Sequence, residues 1–344
     1  MRPTPLVFPF PAPPKPLELI EAAPGIFWLR LPLPFRLNHI NVYLIEDGDG
    51  FVLIDAGIDT RVSREMWDAL FEGPLKGKRL TAVLASHFHP DHIGLAGWLA
   101  ERFGVQLHAS ESEYLNSLVL RLDPKALDAE PYRSFYLAHG LDGPHTQVML
   151  AQGLACLKLV GPLPRTYRRL VAGETLDIGG RKFDVLTGGG HSPEQVMLYC
   201  AELNVFLSGD QAMAKITPNI SVVAIDPDGD PLGVYLRSLA ELKARIPADA
   251  LVLASHNLPF VGLHTRIDEL IAHHESRCAL ILAACREKPH SAFDLVPVLF
   301  GRGIDDPHQL SFAFSEALAH ANYMIRKGAL ESFATADGFA MRAV

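Results

Sequence analysis

The chain has 344 residues, 49% of them hydrophobic and 20% charged, which suits a globular enzyme with a sizeable core and predicts one large domain plus a small one. A formal net charge of −8 and a pI near 6.0 argue against a general nucleic-acid binder or a protein held to anionic membranes. No apolar run reaches the ~18 residues that a membrane-spanning helix needs.

The N-terminus, MRPTPLVFPFPAPPKP, is broken by prolines and lacks the apolar core and small-residue cleavage site of a secretory leader. It predicts a surface-hugging extended arm over residues 1–24 and a cytoplasmic protein. Cys156, Cys200, Cys278 and Cys285 form no CxxC pair, so they are expected to be free and partly buried in a reducing compartment.

Residues 25–33 and 41–46 read as strands, and Asp47-Gly48-Asp49-Gly50 is a hairpin signal before a third strand at 51–54. That strand ends in Asp55-Ala56-Gly57, and an amphipathic helix is predicted over 61–71. The apolar run 80–85 then leads into Ser86-His87-Phe88-His89-Pro90-Asp91-His92, followed by a helix-like stretch at 95–103. Where a strand ends the chain can curl, so His87, His89, Asp91 and His92 can face one small volume. Imidazole and carboxylate together suit a borderline divalent metal such as zinc. Four donors within six residues exceed what one tetrahedral ion takes from a short turn, which points to two ions.

Residues 110–170 hold helix-like pieces, several prolines including Pro124, and many aromatics; so long a segment between a metal turn and the next strand is expected to act as a lid or a functional insertion. Its Tyr114, Tyr132, Phe135, Tyr136 and Tyr167 are candidates for an apolar substrate pocket, with packing inside a helical pair as the alternative. Arg165, Arg168 and Arg169 form a basic cluster able to meet an anionic substrate group, or a solvated face. Strands resume at 174–178 and 182–187 around a Gly179-Gly180 turn, and Gly188-Gly189-Gly190 precedes His191. Further strands at 196–200, 204–207 and 251–254 place Asp210 and His256 just beyond strand ends. The other ten histidines lack that setting and read as surface or packing residues, including His264, His273 and His274 in or beside a helix at 265–287. Beyond it, Ser291 is a candidate N-cap for a helix to about Phe300, 307–327 predicts one or two helices, and 331–342 a hairpin around Asp337-Gly338.

The His-x-His-x-Asp-His turn, with His191, Asp210 and His256 at later strand ends, resembles the metallo-β-lactamase-fold hydrolases, and among them the glyoxalase II-like dinuclear sites. The resemblance covers roughly residues 25–287 and implies an α+β fold, an αββα sandwich, with the 110–170 insertion over the active-site cleft. It assigns His87, His89 and His191 to a first metal, Asp91, His92 and His256 to a second, and Asp210 to both, with Asp91 also positioning the attacking water and Asp55 supporting the site from beneath. The sole local departure is Ser255-His256-Asn257, where a Gly-His-Gly type sequence is usual. The implied cofactors are two divalent ions, zinc first, with manganese or iron as alternatives. The expected activity is hydrolysis of a small ester or thioester, such as a glutathione or coenzyme A thioester. An endoribonuclease or phosphodiesterase is the alternative, with lactonase and β-lactamase behind it. Tyr136, Tyr167, Arg165 and Arg168 are the candidate substrate contacts.

Residues 288–344 resemble the small winged-helix domain appended to one subgroup of that family. Five basic residues against six acidic ones, Arg302 and Asp305 among them, give no basic footprint. The expected partners are therefore a small-molecule substrate and, through this domain, the catalytic domain or a second subunit, with no nucleic acid and no membrane.

Overall fold

The computed structural model describes residues 5–123, 127, 129–301, 304 and 306–344. Pro124, Arg302, Asp305 and the first four residues of the expected arm lie outside the described residues.

Four strands open the fold: β1 (Ile20–Ala23), β2 (Ile26–Pro32), β3 (His39–Asp47) and β4 (Gly50–Ile54). Then come α1 (Arg61–Glu72), β5 (Leu80–Leu84), α2 (Pro90–Ile93), α3 (Ala96–Phe103) and β6 (Leu107–Ala109). The insertion supplies α4 (Glu111–Leu122), α5 (Glu130–Ala138), α6 (Gly143–Leu157) and the two-residue β7 (Arg168–Arg169). The second half contributes β8 (Thr175–Ile178), β9 (Arg181–Gly188), β10 (Gln195–Cys200), β11 (Val205–Gly209), α7 (Pro231–Arg245), β12 (Leu251–Ala254) and β13 (Phe260–Val261). The chain closes with α8 (Leu263–Glu287), α9 (Leu295–Phe300), α10 (Pro307–Arg326), β14 (Leu330–Thr335) and β15 (Gly338–Ala343).

β1 to β7 form one sheet in sequence order, and β13-β12-β11-β10-β9-β8 form the other. The period-2 alternation of each strand explains why the sheets stack. Tyr43, Ile45, Val52, Ile54 and Leu84 point from the first sheet into a core shared with Phe183, Val185, Val196, Leu198 and Leu207 of the second. Their neighbours Val42, Leu44, Leu53 and Val83 face the other way, against Trp67 of α1 and Leu99 of α3. On the far side, Met197, Phe206 and Val252 meet α7, α8 and α10 through Tyr235, Ile267 and Phe314. Helix, sheet, sheet and helix thus stack as four layers in a mixed α/β sandwich. β4 to β7 pair in parallel, as do β11 and β12, so their C-terminal ends open toward the same edge of the sandwich.

Several elements differ from the sequence reading. The N-terminal arm is not wholly outside the fold, because residues 20–23 pair with β2 and Val7 bridges to Val261. The helix expected from Ser291 becomes regular at Leu295; Ser291 and Asp294 bond reciprocally across the preceding turn. Residues 307–326 are one helix, whose Phe314, Leu318 and Met324 are buried while Phe312 is partly exposed. The five insertion aromatics do not surround one pocket. Tyr114 stacks on Tyr167 at 3.9 Å within the outer core of the first sheet, whereas Phe135 and Tyr136 pack with the C-terminal helices, Tyr136 against Phe314. Helical spacing accounts for this: 132, 135 and 136 share one face of α5, and that face is the one α5 buries. No helix among the described residues is long and apolar enough to cross a membrane.

Candidate metal centre

The organising turn follows β5 directly. Pro90 opens α2 at its first position, where a missing N–H costs nothing, so the chain doubles back at once. Asp91 and His92 therefore return toward His87 and His89. Three other strand ends deliver the remaining donors: His191 after β9, Asp210 after β11 and His256 after β12. The backbone reaches His191 through Gly190, whose φ is +104° and whose added Cβ would lie 2.4 Å from the Tyr235 Cβ, so only glycine fits.

Seven side chains converge. His87, His89 and His191 form one group able to hold an ion; Asp91, His92 and His256 form another; His87, His92 and Asp210 link the two. The His191 Nε2 lies 3.4 Å from Asp210 Oδ2, and His92 Nε2 and His256 Nε2 lie 3.6 and 3.5 Å from the same oxygen. Asp91 Oδ2 is 3.5 Å from His92 Nε2 and 3.4 Å from His256 Nε2.

The outer nitrogens of four imidazoles are each engaged. His92 Nδ1 meets Asp55 Oδ2 at 2.8 Å, His191 Nδ1 the Asn219 carbonyl at 2.8 Å, His256 Nδ1 the His39 carbonyl at 2.8 Å, and His87 Nδ1 the Ser86 hydroxyl at 3.0 Å. That leaves His87 Nε2 pointing inward, where it meets His89 Nδ1 at 2.9 Å. His92 Nε2, His191 Nε2 and Asp210 Oδ1 are buried without a hydrogen-bond partner. Buried polar atoms are rarely left so, and an imidazole oriented through its outer nitrogen is the usual arrangement at a metal. The residues present fit two divalent cations.

Asp55 lies beneath this turn. Its carboxylate accepts from the Ser86 amide at 2.7 Å and the Ser86 hydroxyl at 2.9 Å as well as holding His92. Its backbone is left-handed, with φ 62°, a conformation that costs a non-glycine residue about 1–3 kcal/mol and persists where surrounding bonds enforce it. Asn257 shows the same conformation, φ 68°, beside His256. Asparagine is among the residues that tolerate it, so Asn257 keeps the loop shape where the resembled family has glycine.

Electrostatics divide the centre. Burial pushes His87 well below its ordinary value and His89 down to about 3, with neighbouring imidazoles adding to the effect. Burial opposes the charged forms of Asp91 and Asp210 too, but facing His92 and His256 outweigh it and hold both carboxyls well below the usual range. The same carboxylates overcome burial at His92, raised well above 6.5, and at His256, raised to about 9. One half is thus neutral imidazole ready to donate lone pairs, and the other is ion-paired and must release protons to bind a cation.

The remaining predicted residues are placed elsewhere. Tyr136 and Tyr167 pack as described above. Arg165 is exposed, and Arg168 lies on the edge strand β7 beside His108. Among the described residues, none of these four makes a hydrogen bond, ion pair or ring contact with the seven. Cys156, near the end of α6, has its thiol pushed up by burial and, secondarily, by the charge of Asp91.

Two contributors were invisible from sequence. Glu113 is buried and accepts from the Phe88 amide at 2.9 Å and the Glu194 amide at 2.7 Å, tying the metal turn to the loop that carries His191. Its sequence context, Ser110-x-x-Glu113, reads as an ordinary capping box, and Ser110 does cap α4. His39, a surface or packing histidine by its sequence setting, is the second. It accepts from the Asn257 amide at 3.1 Å, and its ring lies 5.9 Å from that of His256. His273 and His274 also gather with Glu316, although their sequence spacing fits no ligand pattern.

The metallo-beta-lactamase superfamily pattern matches residues 36–256, and that of the metallo-beta-lactamase-like C-terminal domain matches residues 278–341. The chain belongs to the metallo-beta-lactamase superfamily and is of the metallo-hydrolase class. It is similar to a Beta-lactamase domain protein from Burkholderia ambifaria, whose crystal structure aligns with TM-score 0.89 and 37% identity over 98% of this chain and 97% of that one. It is 24% identical over 312 residues, 89% of this chain and 93% of the relative, to Bacillus subtilis "Probable metallo-hydrolase YqjP". A shorter match, 25% identical over 54% of this chain and 62% of the relative, is to Acyl-coenzyme A thioesterase MBLAC2 of Gallus gallus.

Proposed function

We propose that the chain is a dinuclear metal-dependent hydrolase of small esters or thioesters, glutathione and coenzyme A thioesters first among them. The observation that carries the reading is the pair of three-residue groups beside Asp210, with the outer nitrogens of four imidazoles engaged and His92 Nε2, His191 Nε2 and Asp210 Oδ1 unpaired. His87, His89 and His191 would hold one ion, Asp91, His92 and His256 the other, and Asp210 both, with zinc the first candidate and manganese or iron the alternatives. When bound, two such cations make water nucleophilic near neutral pH and stabilise charge that develops on the attacked group.

This chain's own residues do the rest. The Asp91 side chain is 20% exposed against 8% for Asp210, so Asp91 is the carboxylate that incoming water reaches. It orients that water by accepting a hydrogen bond and can pass the proton to the leaving group. Asp55 keeps the proton of His92 on Nδ1, and Glu113 holds the two metal-bearing loops at fixed separation. The similarity to a named acyl-coenzyme A thioesterase supports a thioester substrate.

In this reading residues 25–287 are the catalytic domain, 110–170 its lid, and 288–344 a winged-helix-like domain. The order α9, α10 and a β14-β15 hairpin supports the last assignment. So does a packing role over nucleic-acid binding: Phe314 and Leu318 of α10 are buried in the shared core, and Arg326 bonds the Asp228 carbonyl. A hydrolysis screen of thioesters, esters, lactones, phosphodiesters and RNA on metal-quantified protein tests the proposal. Turnover of a thioester or ester is expected. Cleavage of RNA or phosphodiesters with esters untouched would replace this reading with the nuclease one.

A further inference from the structure

Three parts of the fold meet at Asn257, the residue that follows His256. Its carbonyl accepts from Arg30 Nη2 of β2 at 2.7 Å and from Asn41 Nδ2 of β3 at 2.9 Å, and Arg30 Nε donates to Asn41 Oδ1 at 3.0 Å. Asn41 is fully buried and reaches the same loop twice more, through its amide to the Ser255 carbonyl at 2.7 Å and through Nδ2 to the Ala254 carbonyl at 2.9 Å. The Asn257 amide donates to His39 Nε2 at 3.1 Å. These bonds fasten the loop after β12, and with it His256, to the first sheet.

The side chain of Asn257 reaches the other way. Its Oδ1 accepts from the Lys215 amide at 3.1 Å, in the segment that leaves Asp210. That segment is itself held on both sides of Lys215. Arg266 of α8 is buried, and it donates through Nε to the Met213 carbonyl at 2.6 Å and through Nη2 to the Ile216 carbonyl at 3.0 Å. Lys215 therefore offers its N–H from a clamped backbone. The Asn257 side chain joins the strand end that carries His256 to the strand end that carries Asp210. The inner atoms these two loops deliver, His256 Nε2 and Asp210 Oδ2, lie 3.5 Å apart. A glycine adopts a φ of 68° at least as readily as asparagine and would keep every backbone bond made here. Loop shape alone thus gives no reason for a side chain at 257, whereas the bond to Lys215 does.

We infer that Asn257 is a positioning residue for the metal centre. Its side-chain oxygen sets the spacing of His256 against Asp210, and through it the affinity of the cation site built from Asp91, His92 and His256. The inference rests on the dinuclear reading above. The test uses the full-length protein, stripped of metal and titrated with zinc against a chromophoric chelator, with exchange of the Lys215 amide followed by NMR in the stripped protein. Asn257→Gly removes the side-chain bond and spares the backbone. At the usual net worth of one hydrogen bond, it should weaken the step at Asp91, His92 and His256 about fivefold or more and quicken Lys215 amide exchange by about the same factor. The step at His87, His89 and His191 should stay within about twofold, because none of those residues is bonded to the Asn257 side chain. Asn257→Asp keeps an acceptor at Oδ1 and tolerates the same backbone, so it should restore both the affinity and the slow exchange. Wild-type affinity in the glycine variant, equal weakening of both steps, or weakening with Lys215 exchange unchanged would overturn the inference. So would an aspartate variant that binds metal no better than the glycine one. A wild type that never holds two ions would overturn the dinuclear reading instead. The exchange data then still decide the bond: quickening in Asn257→Gly that Asn257→Asp reverses supports it, and exchange alike in all three proteins refutes it.

Discussion

Asp55→Asn is the most informative single change near the metal centre. Asparagine tolerates the left-handed backbone at this position, and its side-chain carbonyl can still accept from the Ser86 amide. The atom that replaces Oδ2 becomes an N–H donor, and it faces the His92 Nδ1 that Asp55 now accepts from at 2.8 Å. Either His92 keeps its Nδ1 proton and loses a buried partner, or the proton moves to Nε2 and removes the lone pair directed at Asp91 and Asp210. Changes to groups that orient a metal-ligating histidine typically cost 10–100-fold in metal affinity, about 1.4–2.7 kcal/mol. The loss should fall on the site built from Asp91, His92 and His256, and should leave the His87, His89 and His191 site within a few-fold. Competition titration against a chromophoric chelator resolves the two binding steps. Unchanged affinity in both steps, or an equal loss in both, would refute the orienting role assigned to Asp55.

His87→Ala and Asp210→Ala should each reduce metal content to one equivalent or less and abolish hydrolysis, with circular dichroism showing a folded chain. His320 and His274 are buried between α8 and α10, where burial first, and then nearby charged or basic groups, hold them down to about 4 and about 3. Because the unfolded chain binds these protons near pH 6.5 and the folded chain does not, stability should fall as pH drops from about 6.5 toward 4. For His320 the shift amounts to on the order of 3 kcal/mol, and metal-free wild type should lose more of its Tm over that range than His320→Gln does. Phe314→Ala empties a fully buried site in the core that joins α10 to the second sheet, and should cost about 3–5 kcal/mol in denaturant unfolding. Truncation after Glu287 should expose the same core and yield aggregated protein by size-exclusion chromatography, a soluble active fragment being the contrary result.

What was readable in the sequence followed local rules. β3, β4, β5 and β10 declare themselves because each is a short apolar run bounded by turn residues, and the metal donors sit where β5, β9, β11 and β12 stop. The metal turn is legible because it is continuous in sequence, and its remaining donors because each follows a strand. Contacts that depend on distant pairing were not readable. The Glu113 carboxylate meets Phe88 and Glu194 only because α4 begins beside both loops, and nothing in Ser110-x-x-Glu113 distinguishes that from a helix cap. Tyr136 illustrates the opposite error. An aromatic in an insertion suggests a substrate contact, but α5 spends that face on Phe314, far along the chain in no pattern that periodicity reveals. His39 was overlooked because it begins β3, where a strand end without neighbouring donors carries no metal signal.

Metal stoichiometry tests the central claim most directly. The full-length protein, stripped with chelator, reloaded with zinc, manganese or iron(II) and freed of excess ion, should hold two equivalents per chain by elemental analysis. Anomalous diffraction should then place one ion among His87, His89 and His191 and the other among Asp91, His92 and His256, with Asp210 between them. A chain that holds one ion or none with every metal, or that binds two ions away from these residues, would contradict the account.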